Sequence, residues 1–141
     1  MTIPKSRFRT VGAFMTRQPI CIFPDDSLAQ ARAAMKEHHF RHLPVVVDDE
    51  PVGVVSSRDL DAIERYHDVD PGQVQVHEAI APITYCVEPS TPLEEVVSQM
   101  ADNRYGSALV VERGKLVGVF TTVDALRATL ALCRQMKRRS R

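Results

Sequence analysis

Displaced by 65 residues, this sequence aligns with itself without a gap. Val11 falls on Val76, Cys21 on Cys86, Pro24 on Pro89, Leu28 on Leu93 and Met35 on Met100. Val45-Val46 falls on Val110-Val111, Val52-Gly53-Val54 on Val117-Gly118-Val119, and Asp59 on Asp124. Similar residues fill the intervals: Ile22 with Val87, Phe40 with Tyr105, Val55 with Phe120, Ser56 with Thr121. Chance does not hold one register over such a stretch, and the matches fall on core-type and turn positions. The chain is therefore expected to build one supersecondary unit twice.

Each half has the same pattern. A short extended piece comes first (Ile20 to Phe23; Tyr85 to Val87) and is closed by proline. A one-faced helix follows, with Leu28, Ala31 and Met35 on its stripe in the first half and Leu93, Val96, Val97 and Met100 in the second. Thr91, Pro92 and Glu94 predict an N-cap, a first helical residue and a capping box. Two β-rich runs then flank a polar turn, Asp48-Asp49-Glu50 or Arg113-Gly114-Lys115, as hairpins do. A second helix closes each half, over Arg58 to Arg65 and from Val123 to about Met136. The expected fold class is α/β (α+β), a β-α-β-β-α unit in tandem. The expected segments are a basic arm 1–10, repeats 11–65 and 76–132, a linker 66–75 with the Asp70-Pro71-Gly72 turn signal, and a basic tail 133–141. About sixty residues make a marginal core, so the halves are expected to pack sheet to sheet with pseudo-two-fold symmetry.

Eighteen Lys and Arg balance eighteen Asp and Glu, but unevenly. Residues 1–10 and 133–141 hold eight bases and no acid, leaving a net charge of −8 on 11–132. That is no broad nucleic-acid face, although the ends could touch phosphates or an acidic partner. No apolar run is long enough to span a membrane, and the start lacks the apolar core of a secretory signal. Three cysteines are too few and too odd for a disulfide framework. A reduced, cytoplasmic location is expected.

The chemistry concentrates at two strand-to-helix corners, Gly53-Val54-Val55-Ser56-Ser57-Arg58-Asp59 and Gly118-Val119-Phe120-Thr121-Thr122-Val123-Asp124. A strand running into a helix aims free backbone N–H groups and the positive helix end at one spot, which suits a phosphate. Hydroxyls there donate to phosphate oxygens, and a nearby carboxylate accepts from ribose hydroxyls, as acids do in other nucleotide folds. One Ser/Thr-x-x-Asp alone reads as a helix cap. Two in register, each behind Val-Gly-Val, favour recognition of a ribose phosphate as well.

With Arg41-His42-Leu43-Pro44-Val45-Val46, these segments resemble the cystathionine-β-synthase (CBS) domain, and the tandem resembles a Bateman module over about residues 11 to 130. The resemblance implies a regulatory pair that binds an adenosine derivative (AMP, ADP, ATP or S-adenosylmethionine) in clefts between the repeats and forms a homodimer. It implies that Asp59 and Asp124 hold ribose, with Ser56, Thr121, Ser57 and Thr122 near ribose and phosphate. Arg41, His42 and Arg58 would serve phosphate, and Cys21, Ile22, Cys86 and Val87 would border adenine. Cys21 and Cys86 stand where the family often has threonine. Gly106-Ser107 and Val123 replace Arg41-His42 and Arg58 in the second repeat, so unequal sites are expected.

His38 and His42 are four apart, but no further ligand completes a metal set. Met35 and Met100 are expected in the core, with Phe40 and Tyr105 packed between helix and strand. The cysteines are read as small buried apolar residues without basic neighbours to activate Cys21 or Cys86. No nucleophile elbow, Walker A loop, dinucleotide glycine motif or zincin motif is present. A stand-alone, non-enzymatic module with no required cofactor and a separate regulated protein is expected. The alternative is a nucleic-acid-associated or scaffolding dimer that uses the basic ends. In a third reading, Leu126, Leu130 and Cys133 on the last helix form a dimer interface around unused clefts.

Overall fold

The structure is a computed structural model that describes residues 9–67, 70–83 and 85–140, without the side chains of residues 66 and 67. In chain order it forms α1 (Val11–Phe14), β1 (Thr16–Arg17), α2 (Leu28–His38), β2 (His42–Val47), β3 (Glu50–Ser56) and α3 (Ser57–His67). A 3-10 turn (Val76–Glu78) leads to β4 (Cys86–Val87), α4 (Leu93–Asn103), β5 (Ser107–Glu112), β6 (Lys115–Thr121) and α5 (Thr122–Arg139). The α+β class and the doubled unit stand as expected. Residues 133–139, read as tail, are helical and continue α5. Most of the basic arm lies outside the described residues.

Both hairpins turn through two residues with positive φ, as right-twisted strands require. These are Asp48 and Asp49 (50° and 66°) and Arg113 and Gly114 (53° and 80°). Ser27 caps α2 in a reciprocal box with Gln30. The equivalent box expected at α4 does not form: the helix starts at Leu93 after Pro92, without a side-chain cap. The Thr91 hydroxyl instead accepts from the Glu88 N–H (3.2 Å), closing the turn that enters the helix.

The compact units differ from the sequence repeats. One, here the Asp59 unit, holds Pro19–Ile83 and Gly114–Leu116. The other, the Asp124 unit, holds the chain up to Gln18 with Thr84–Arg113 and Val117–Arg141. The segment at the start of each repeat has been exchanged, and its bonds repeat residue for residue. In the Asp124 unit, the Val11 N–H donates to the Thr91 carbonyl (2.9 Å), Gly12 to Pro89 (3.0 Å), and Leu93 to Arg9 (2.7 Å). Sixty-five residues away, in the Asp59 unit, Val76 donates to Asp26 (2.7 Å), His77 to Pro24 (3.0 Å), and Leu28 to Val74 (2.9 Å). Thr16 pairs with Val119 as an antiparallel edge of the sheet β1-β6-β5-β4, and Ala81 pairs with Val54 in the same way.

This exchange explains the glycine of each Val-Gly-Val. A Cβ on Gly53 would lie 3.0 Å from the Ala81 carbonyl oxygen and 3.0 Å from Ile80 Cγ2. On Gly118 it would collide with Met15 Sδ and approach the Thr16 carbonyl oxygen to 3.0 Å. Each unit has its own core. Leu28, Ala31, Met35, Leu43, Val45, Val55, Leu60 and the exchanged Val76 form one, with Phe40 against it. Leu93, Val96, Met100, Ala108, Val110, Phe120, Ala128 and the exchanged Val11 form the other, with Tyr105 against it. Cys86 and Cys133 do not follow the expected burial. Both are exposed and Cys21 is half-buried, because Cys86 lies on a two-residue edge strand and Cys133 on the outer face of α5.

Candidate functional site

In the Asp59 unit the corner is built where β3 hands over to α3. The Asp59 N–H donates to Ser56 Oγ (3.1 Å), and the Ser56 N–H donates to Asp59 Oδ2 (3.4 Å). The cap predicted by Ser-x-x-Asp is therefore real and leaves the carboxylate half-buried. The Ser57 N–H donates to the Arg41 carbonyl (2.8 Å), which ties the β2 entrance to the helix start. His42 lies opposite Ser56 in the hairpin register. Burial pushes the His42 imidazole below its ordinary value; the Asp59 carboxylate opposes this, and the Arg41 and Arg58 guanidiniums reinforce it. A neutral imidazole, a carboxylate and two exposed cations thus share one corner, as the sequence placed them.

The adenine-edge residues divide. Ile22 is 4% exposed, and its N–H and carbonyl are bonded to Pro44 (2.9 Å) and Val46 (3.1 Å). Neither polar group is free for a base. Cys21 Sγ donates to the Pro19 carbonyl (3.3 Å); burial raises its thiol pKa, and Asp49 adds to the rise. In the Asp124 unit, Cys86 and Val87 pair in parallel with Leu109 and Val110, and partial desolvation raises the pKa of the Cys86 thiol.

The corner of the Asp124 unit has the same frame and a different state. The Thr121 N–H donates to Asp124 Oδ2 (2.9 Å), and the Asp124 N–H donates to Thr121 Oγ1 (3.3 Å). The Thr122 N–H and hydroxyl both reach the Gly106 carbonyl (3.3 and 3.4 Å). The Thr16 hydroxyl adds a donor at 3.1 and 3.2 Å from the two carboxylate oxygens. Asp124 is only 6% exposed. Thr16 falls on Ala81 in the repeat, and among the described residues Asp59 accepts from no hydroxyl of its own exchanged segment. Sequence reasoning missed this pair. Its signal lay in the 65-residue register, but the exchange that gives it meaning is tertiary.

An open hollow of about 560 Å³ in the Asp124 unit is lined by Gly12, Met15, Arg17, Gln18, Pro89, Glu112 and Val117, and by no corner residue. Among the described residues, no group of three or more His, Cys, Asp or Glu could hold a metal ion. No described helix is long and apolar enough to cross a membrane.

Residues 11–63 and 77–131 each match the CBS domain. The chain belongs to the CBS-domain family. An inosine-5'-monophosphate dehydrogenase from Korarchaeum cryptofilum is 32% identical over 113 residues, 79% of this chain, and this CBS pair spans 22% of that enzyme's length. AcuB from Vibrio cholerae superposes with a TM-score of 0.85 at 26% identity, covering 92% of this chain and 96% of that one. CBSX2, a CBS-pair protein of Arabidopsis thaliana solved in complex with AMP, superposes with a TM-score of 0.78 at 30% identity, covering 87% and 97%.

Proposed function

We propose that this CBS pair is a regulatory module whose Asp59 corner takes an adenosine-containing ligand: AMP, ADP, ATP or S-adenosylmethionine. One observation carries the reading. Asp59 is half-buried, whereas Asp124 is 6% exposed and accepts from the Thr16 hydroxyl, a donor that Ala81 at the equivalent position lacks. An open carboxylate accepts both hydroxyls of a ribose. The α3 N-terminus, Ser56 and Ser57, and the Arg41 and Arg58 cations supply the positive field a phosphate needs. AMP on CBSX2, at 30% identity, supports the adenosine part. The Asp124 corner takes no phosphate, since Gly106, Ser107 and Val123 replace the basic groups. Occupancy is transmitted to a separate protein by changed conformation or docking. The module is a cytoplasmic homodimer, the commonest closed assembly, without catalysis of its own.

Thermal melting with each nucleotide tests the ligand. At a hundredfold excess over its dissociation constant, AMP stabilises the fold by about 2.7 kcal/mol. Asp59→Asn abolishes the shift, while Asp124→Asn lowers the ligand-free melting point and keeps it. No shift with any of these ligands at millimolar levels, or a shift that survives Asp59→Asn, refutes the reading.

A further inference from the structure

The hollow of the Asp124 unit stands apart from the corner of that unit. It lies at the turn end of the β5–β6 hairpin, where Glu112 closes β5 and Val117 follows the turn. Gly106, Thr121 and Asp124 meet at the other end of the same strands. Half-buried Met15, Pro89 and Val117 give the hollow apolar walls, and exposed Arg17, Gln18 and Glu112 give it polar groups. The repeat supplies a control. Sixty-five residues away, Met15, Pro89 and Val117 fall on Ile80, Pro24 and Val52, but Arg17, Gln18 and Glu112 fall on Pro82, Ile83 and Val47. Both copies keep the apolar residues, so the fold asks for them. This copy alone adds two charges and an amide, which the fold does not require. The Arg17 guanidinium is tied through Nη2 to the Gly12 carbonyl (3.4 Å). Gln18 holds a φ of 48°, a region that residues other than glycine seldom adopt and that recurs where ligands are clamped. Neither Arg17 nor Glu112 is in an ion pair among the described residues.

We infer that this hollow is a binding site for a free α-amino acid with an apolar side chain. Charge selects the class. A simple anion would meet the Glu112 carboxylate, and a simple cation would meet the Arg17 guanidinium. An uncharged apolar molecule would strip water from both groups and return no partner to either. A zwitterion answers both. Its carboxylate pairs with the planar fork of Arg17, its ammonium with Glu112, and its side chain lies against Met15, Pro89 and Val117. The volume of about 560 Å³ is that of a small-molecule site and admits a side chain as large as leucine or phenylalanine. The site shares no residue with the Asp59 corner, and the inference does not rest on the adenosine reading.

Thermal melting of the full chain with L-leucine, L-methionine and L-phenylalanine at millimolar levels tests it, and titration calorimetry follows the best of them. At least one is expected to raise the melting point. Its analogues without the ammonium or without the carboxylate, and glycine, which lacks the side chain, are expected to give no shift. Arg17→Gln and Glu112→Val, the latter taking the residue of the other repeat, are each expected to weaken binding roughly tenfold and to keep the ligand-free melting point. Asp59→Asn is expected to leave amino-acid binding unchanged. Should one of the two hollow substitutions unfold the chain, the other decides. Absence of a shift with all three amino acids overturns the site. So does binding that survives both hollow substitutions, binding that Asp59→Asn abolishes, or an analogue without the ammonium that binds as tightly as the amino acid. AMP is read in separate melts, so a chain that binds the amino acid and not AMP overturns the adenosine reading and supports this site.

Discussion

Thr16 and Ala81 occupy one place in two copies of a fold, and Thr16 brings to its corner a hydroxyl that Ala81 lacks. The Thr16 hydroxyl satisfies a carboxylate that has little access to water. Thr16→Ala leaves Asp124 short of a donor and is expected to destabilise the fold by about 1–3 kcal/mol, read as a lowered denaturation midpoint. Ala81→Thr brings a hydroxyl toward Asp59, where it competes with ribose. Titration calorimetry is expected to show AMP binding weakened roughly tenfold, about 1.4 kcal/mol; unchanged affinity would mean the two carboxylates differ for another reason. His42 adds a pH signature. Burial holds its folded pKa below the unfolded value, so as pH falls through about 6.5 the unfolded chain takes up a proton before the folded one does. The contribution is complete above that pH and is lost as pH drops toward the folded pKa. Denaturant melts at pH 8 and pH 5.5 are expected to show a smaller acid loss for His42→Gln than for the wild type.

At the scale of elements, the sequence discloses what depends on local pattern and hides what depends on partners. The i, i+3, i+4, i+7 spacing located α4, and the β-branched runs around Asp48-Asp49 and Arg113-Gly114 located both hairpins, because these signals act within one segment. The cap at Thr91 was misread, since the same Thr-Pro-x-Glu pattern serves a tighter turn when the hydroxyl meets the Glu88 N–H instead. Strands of two residues such as β1 and β4 have too little sequence to show a period; they exist because β6 and β5 offer them an edge. At the Asp59 corner, Ser56, Ser57, Arg58 and Asp59 were legible as one helix start, and Arg41 and His42 joined them through the hairpin register. That Ile22 spends its N–H and carbonyl on Pro44 and Val46 was not legible, because this pairing is tertiary.

Across the whole molecule, the exchange of segments changes what counts as a unit. Residues 9–17 lie at the start of the first repeat but complete the unit built on the second: they supply Val11 to its core, a hydroxyl to Asp124 and an edge to β6. A chain lacking residues 1–18 therefore keeps every group of the Asp59 unit and loses one wall of the other. Removal of Val11 opens space beside Leu93 and Phe120, and such cavities cost about 2–5 kcal/mol for a buried aliphatic side chain. The Gly118 to Met15 contact and the bonds to Thr91 and Pro89 disappear with it. Hydrogen exchange followed by mass spectrometry is the suitable measurement, because it resolves stability along the chain. In the truncated chain, amides of 85–140 are expected to lose protection while those of 19–83 retain it. If both regions weakened together, the two units would be one cooperative body. If the first repeat alone weakened, the chain would be organised as its sequence halves suggest, and the exchanged bonds would carry little of its stability.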